Sequence, residues 1–234
     1  SAPTTKVKNT TISDSTGKVI EKKIDKKTTG GFTFTFTGII VSLIMSIIAV
    51  AIVSALFSWM PLFLQVLMAS VISNVLTSLV MGQDPLQGLL GVFVGFIFSF
   101  INSMIGQLFG LGGGGGGGGG GALGIGPQGA VAAVSTVQSG QLVLSLNLFE
   151  IAKFILRSSV FQGINLMITQ DNDSDGAAFL GMFLAVVLSG LVDMAMSGSF
   201  NLAIFFFNIF AGAFMGVAAV MAKKAGESGN PMLA

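Results

Sequence analysis

The chain has no cysteine, no histidine and no tyrosine. Those absences exclude disulfides, thiolate and imidazole metal sites, cysteine or histidine nucleophile systems and the usual haem ligation. Charge is also scarce: 9% of residues are Asp, Glu, Lys or Arg, against the quarter typical of soluble domains, while 52% are hydrophobic. With a mean hydropathy of +0.87, this composition predicts an all-α polytopic membrane protein. About five or six membrane helices are expected, with a short polar, β-hairpin-like N-terminal segment and a polyglycine connector.

The few charges are unevenly spread. Residues 1–27 carry seven lysines against Asp14, Glu21 and Asp25. Two short strands around a turn, or a solvated basic tail, fit residues 1–31 equally well. A basic segment beside the first span places the N-terminus on the cytoplasmic side or against anionic headgroups. Nucleic acid is not expected as a partner, because the segment has neither arginine nor an aromatic residue to stack on bases. Phe32 to Thr37 then alternates Phe and Thr, the pattern of an extended lead, so that 1–37 forms one unit.

From Gly38 to Gly82 the chain is uncharged and broken only by Trp59-Met60-Pro61. A tight hairpin turning at the tryptophan is expected, with arms Gly38–Ser58 and Pro61–Met81, although Pro61 would also permit one long kinked helix. Asp84-Pro85 is a helix start, and the uncharged run to Phe109 is long enough to cross a hydrocarbon core of roughly 30 Å. On that helix Gly88, Gly91, Gly95, Ser99 and Ser103 form a row of small residues. Such a row admits close approach of another helix, and the contact is expected to lie between subunits.

Residues 111–147 read as a connector. Gly112 to Gly121 are ten consecutive glycines, too costly for a helix interior and lacking any phosphate-loop context. Val131–Gln138 and Gln141–Asn147, divided by Ser139-Gly140, outline a hairpin or re-entrant segment. Within 148–222, Leu148–Thr169 is amphipathic, with Glu150, Lys153 and Arg157 on one face. It either lies in the interface or spans with its charges turned to protein, and six spans would bring both basic ends of the chain to one side. Two further helices, about Ala177–Ser197 and Phe200–Ala222, carry small-residue rows: Gly181, Ala185 and Ser189 on the first, Asn208, Gly212 and Gly216 on the second. Residues 223–234 read as a polar tail.

Two constellations carry chemistry. Asp171, Asp173 and Asp175 with Gly176 match the first half of an oxygen-rich calcium loop, but the twelfth position is Met182 rather than glutamate. An acidic helix cap explains the same residues; no cofactor is required, and Ca2+ is the one candidate. Asp193, alone in a hydrophobic helix and four residues from its end, is either an intramembrane ion or proton site, or an interfacial carboxylate, or the partner of Lys153 or Arg157. The motifs of serine hydrolases, zinc proteases and intramembrane aspartate proteases are missing, which points away from an enzyme.

Three functions fit. The first is a structural membrane protein that self-associates, alone or with other membrane subunits, as part of a secretion machine, virion, phage particle or filament. The second is a channel or transporter subunit with Glu150, Lys153, Arg157 and Asp193 along its path. The third is a pore-forming protein delivered in soluble form. In each case the chain is integral to a membrane, cellular or viral.

Overall fold

Hydrophobic runs as long as a bilayer is thick have no stable form in lipid except a helix, which satisfies its own backbone groups. The computed structural model follows that rule and describes residues 4–13, 19–29, 36–86, 89–108, 126–198 and 200–228. Two strands come first, β1 (Thr4–Ser13) and β2 (Val19–Thr29), paired antiparallel. Helices α1 (Phe36–Leu56), α2 (Leu62–Val80) and α3 (Leu89–Leu108) follow. A short helix α4 (Gly126–Ala133) leads into β3 (Ser135–Gln138) and β4 (Gln141–Leu144). The chain ends in α5 (Leu148–Thr169), α6 (Asp175–Ser197) and α7 (Leu202–Ser228).

The protein is an all-α polytopic membrane protein. Among the described residues, five helices, α1, α2, α5, α6 and α7, are long and apolar enough to cross a membrane. At 21 residues, α1 is about 31 Å long, the thickness of a hydrocarbon core. The uncharged α3 packs on α2, α4 and α7. The large apolar side chains of these helices, such as Ile44, Ile48, Ile97, Phe210 and Val217, point outward, while Ser42, Ser46, Ser70, Ser73 and Ser189 are buried. This inverted distribution suits a lipid solvent, which rewards exposed apolar groups and leaves polar ones to find partners inside. Ser46 and Ser73 find each other across α1 and α2 at 2.7 Å.

The run from Gly38 to Gly82 is a hairpin and not a kinked helix. Pro61 precedes the first residue of α2 with φ −54° and ψ 148°, so the helix restarts there after the turn at Phe57–Met60. Trp59 stands at that turn, 76% exposed, its indole nitrogen donating to the Leu56 carbonyl at 3.1 Å. Leu146, Leu148 and Phe200 are exposed in neighbouring loops or helix starts, as expected of an apolar fringe at a membrane surface.

Residues 126–144, expected to be part of a connector, belong to the core. Val131, Val134 and Leu142 are fully buried against Val50, Val53 and Val66 of the first hairpin. Between β3 and β4, Ser139 and Gly140 both have positive φ, 53° and 74°, the backbone of a two-residue type I′ turn. The chain here turns back into the bundle: a helix of about two turns buried among α1, α2, α3 and α5, then a tight hairpin.

Several boundaries differ from the sequence expectation. Asp84 closes a turn, accepting from the Leu86 amide at 2.9 Å, and the described part of α3 starts at Leu89. Proline at position 85 sets up this turn without starting the helix. At the other end, α7 does not stop at Ala222 but continues to Ser228, because Lys223 is buried and paired. Asn147 and Ser174 cap α5 and α6 with their side chains, which is why the lower bounds of those helices are sharp. The decaglycine, Gly88 and residues 30–35 of the Phe/Thr alternation lie outside the described residues, and of Ser103 only the backbone is described.

Helix directions fix the ends relative to one another. β4 is tied to the turn between α1 and α2, and α5 starts just after β4, at that same end of the bundle. Two further crossings by α6 and α7 then return the chain to the end where α1 begins, and there Lys223 of α7 meets Asp175 of α6. Tags on the two termini are expected to be equally accessible to protease in sealed vesicles. Protection of one and cleavage of the other would contradict this path.

Candidate functional site

Glu150, Lys153 and Arg157 lie three and four residues apart near the start of α5, so one face of that helix gathers a carboxylate and two cations. α6 runs antiparallel to it and presents Asp193 and Ser197 from its last turn and a half. The structure brings together Glu150, Lys153, Arg157 and Asp193, the four residues named for an intramembrane site. Arg157 Nη1 lies 3.5 Å from Asp193 Oδ1, Lys153 Nζ 3.9 Å from the same oxygen, and Lys153 Nζ 3.4 Å from Glu150 Oε2. Lys153 also donates to Ser197 Oγ at 3.3 Å and lies 5.5 Å from the Phe149 ring centre.

Burial grades along the network. The Glu150 side chain is 42% exposed, Lys153 13%, Asp193 10% and Arg157 3%. The deepest charge is thus an arginine, always protonated, held by an aspartate one layer nearer the surface. The four formal charges cancel, which is the condition for burying them in a medium that penalises isolated ions. Deeper between α6 and α7, buried Asn208 places its amide nitrogen 2.5 Å from the point where a Cβ on Gly190 would stand.

This arrangement fastens α5 to α6 and encloses charge. A second network occupies the opposite end. Lys223, buried, bonds Asp175 Oδ1 at 3.1 Å and the Asp173 backbone carbonyl, while Lys224 lies 3.8 Å from Asp175 Oδ2. One of the three carboxylates expected to ligate calcium, Asp175, is therefore engaged by two lysines. Asp171 and Asp173 are exposed, and no group of three acidic side chains able to hold a metal ion is found among the described residues.

The small-residue rows make contacts within the chain. A Cβ on Gly95 would collide with the Gln128 side chain of α4, whose Cδ would be 2.8 Å away. Ser99, one turn on, is buried and Gly91 half-buried. The contact expected between subunits is thus, at Gly95, an intramolecular one, because α4 turns back into the bundle to fill the gap. Gly181 faces Asn165 and Thr169 of α5, while a Cβ on Gly212 or on Gly216 would stand 3.1 or 3.0 Å from the carbonyl oxygen of Phe183 or of Phe179 of α6. Ala185 and Ser189 are fully buried.

One organising residue was not picked out in the sequence. Gln65, fully buried, donates to the Met60 carbonyl at 2.7 Å and accepts from the Leu142 amide at 3.0 Å, locking the re-entrant hairpin to the first turn. Its signal was a lone long amide one turn into a hydrophobic helix, where a polar group must find a partner inside. No protein-family model, no curated protein and no solved structure matches the chain.

Proposed function

We propose that the chain is a non-enzymatic structural protein of a membrane that self-associates, through a face of α5, as a component of a larger assembly such as a secretion machine, a virion or a filament. One observation carries this reading. Of the five helices long enough to span, α5 has the lowest mean hydropathy, yet it is the least covered, with 22% of its apolar window buried against 33 to 50% in the others. A lone bundle in lipid would be expected to turn its least apolar helix inward. The uncovered face holds Ala152, Leu156, Ser159 and Gly163 at helical spacing, and a Cβ on Gly163 would meet nothing within 4 Å. A second copy of the chain is the occupant that fits, since small residues let helix backbones approach and two such faces related by a two-fold axis complement each other.

The chain has no cysteine, so a single introduced thiol reports one position. Gly163→Cys is expected to give cross-linked dimers in membranes, and Phe210→Cys, on the lipid-exposed face of α7, is not. Cross-linking at 210 but not at 163 would reject α5 as the contact. The channel reading has one observation in its favour, the enclosed charges of Arg157 and Asp193 beside a re-entrant helix. A small ring of copies, in place of an extended assembly, would favour it.

A further inference from the structure

The basic N-terminal hairpin meets the helices through β2, which lies against α7. Its register sets Lys6 opposite Lys27, Lys8 opposite Asp25, Thr10 opposite Lys23 and Ile12 opposite Glu21. Opposed residues in an antiparallel pair share a face, and positions two apart return to it. Four lysine positions, 6, 8, 23 and 27, therefore fall on one face with only Asp25 and Glu21 to offset them, and positions 22 and 26 fall on the other. Like charges directly opposite one another destabilise a strand pair, and a lone two-stranded hairpin is marginal in water even without them. An anionic surface would offset the repulsion between Lys6 and Lys27 and so favour the strand pair.

Its place in the fold says which surface. β2 ends at Thr29 and α1 begins at Phe36, so the hairpin is tethered within a few residues of the first membrane helix. β2 also lies against α7, whose last turns bring Lys223 and Lys224 to the same end of the bundle. Phosphate of nucleic acid would supply the same charge, but residues 1–31 lack the arginine and aromatic groups that nucleic-acid binders combine with lysine.

We propose that the β1–β2 hairpin docks on anionic lipid headgroups at the end of the bundle where α1 begins, and that the strand pair is formed by that contact. Each lysine near such a surface strengthens binding roughly fivefold at low salt. The test uses the full chain in nanodiscs of phosphatidylcholine, with and without phosphatidylglycerol, and reads amide exchange over residues 4–29. Exchange is expected to slow at least about tenfold with phosphatidylglycerol and to speed up again near 1 M salt, where the Debye length is about 3 Å. A variant with Lys6, Lys8, Lys23 and Lys27 all changed to Gln should lose the difference while its helical signal and melting stay as in the parent. Equal exchange in both lipids would overturn the proposal. So would protection in phosphatidylcholine alone on adding a DNA duplex, matching or exceeding that from phosphatidylglycerol, which would assign the hairpin to nucleic acid.

Discussion

Gly95→Leu is expected to destabilise the single chain. The first atom of any side chain at position 95 collides with Gln128, which is itself buried in α4. Overpacking a filled site costs typically about 1–3 kcal/mol, and leucine adds three carbons beyond the one already in conflict. Gly95→Ala is expected to fall within that range, and Gly95→Ala combined with Gln128→Ala to recover most of it, because the second change vacates the space the first one needs. Thermal melting of the monomer in detergent checks all three. A Gly95→Leu protein that melts like the parent but fails to assemble would show that the row faces another subunit after all.

Asp193→Leu is expected to be the most damaging change in the ion network. It strands Arg157 and Lys153 together in a largely buried site with only the outlying Glu150 to balance them. Removing one member of a buried pair costs about 3–5 kcal/mol. Arg157→Met should cost less, since Asp193 keeps Lys153. The double change should be milder than Asp193→Leu alone, because a buried pair is often replaceable by apolar residues with little loss. Melting temperatures across this cycle measure the coupling, and simple additivity would mean that the two groups do not interact in the membrane.

The two predictions show which parts of the structure were legible in the sequence. Helices were, because a charge-free run of bilayer length permits little else, and the hairpin at Trp59-Met60-Pro61 was, because tryptophan and proline each have their own reason to stand at a turn. The gathering of Glu150, Lys153, Arg157 and Asp193 was legible as well, since helical spacing and the cost of intramembrane charge both require partners. What Gly95 touches was not. A row of small residues says that something comes close, and the sequence of α4, apolar, glycine-flanked and eight residues long, carried too little periodicity to identify it as that something. For the same reason the organising role of Gln65 stayed hidden: its partners, the Leu142 amide and the Met60 carbonyl, are backbone groups, which leave no mark in a sequence. The extension of α7 through Lys223 likewise depended on a partner, Asp175, that lies one helix away.

The number of copies in one native membrane assembly tests the central claim most directly. The chain can be extracted from its own membrane in polymer-bounded lipid discs, without detergent, and its copies counted by stepwise photobleaching of a single label. The account predicts several copies per disc for the parent chain and a shift toward single copies for Gly163→Leu, with the melting of the monomer unchanged. Single copies for the parent, or an unchanged count for Gly163→Leu, would contradict self-association through α5.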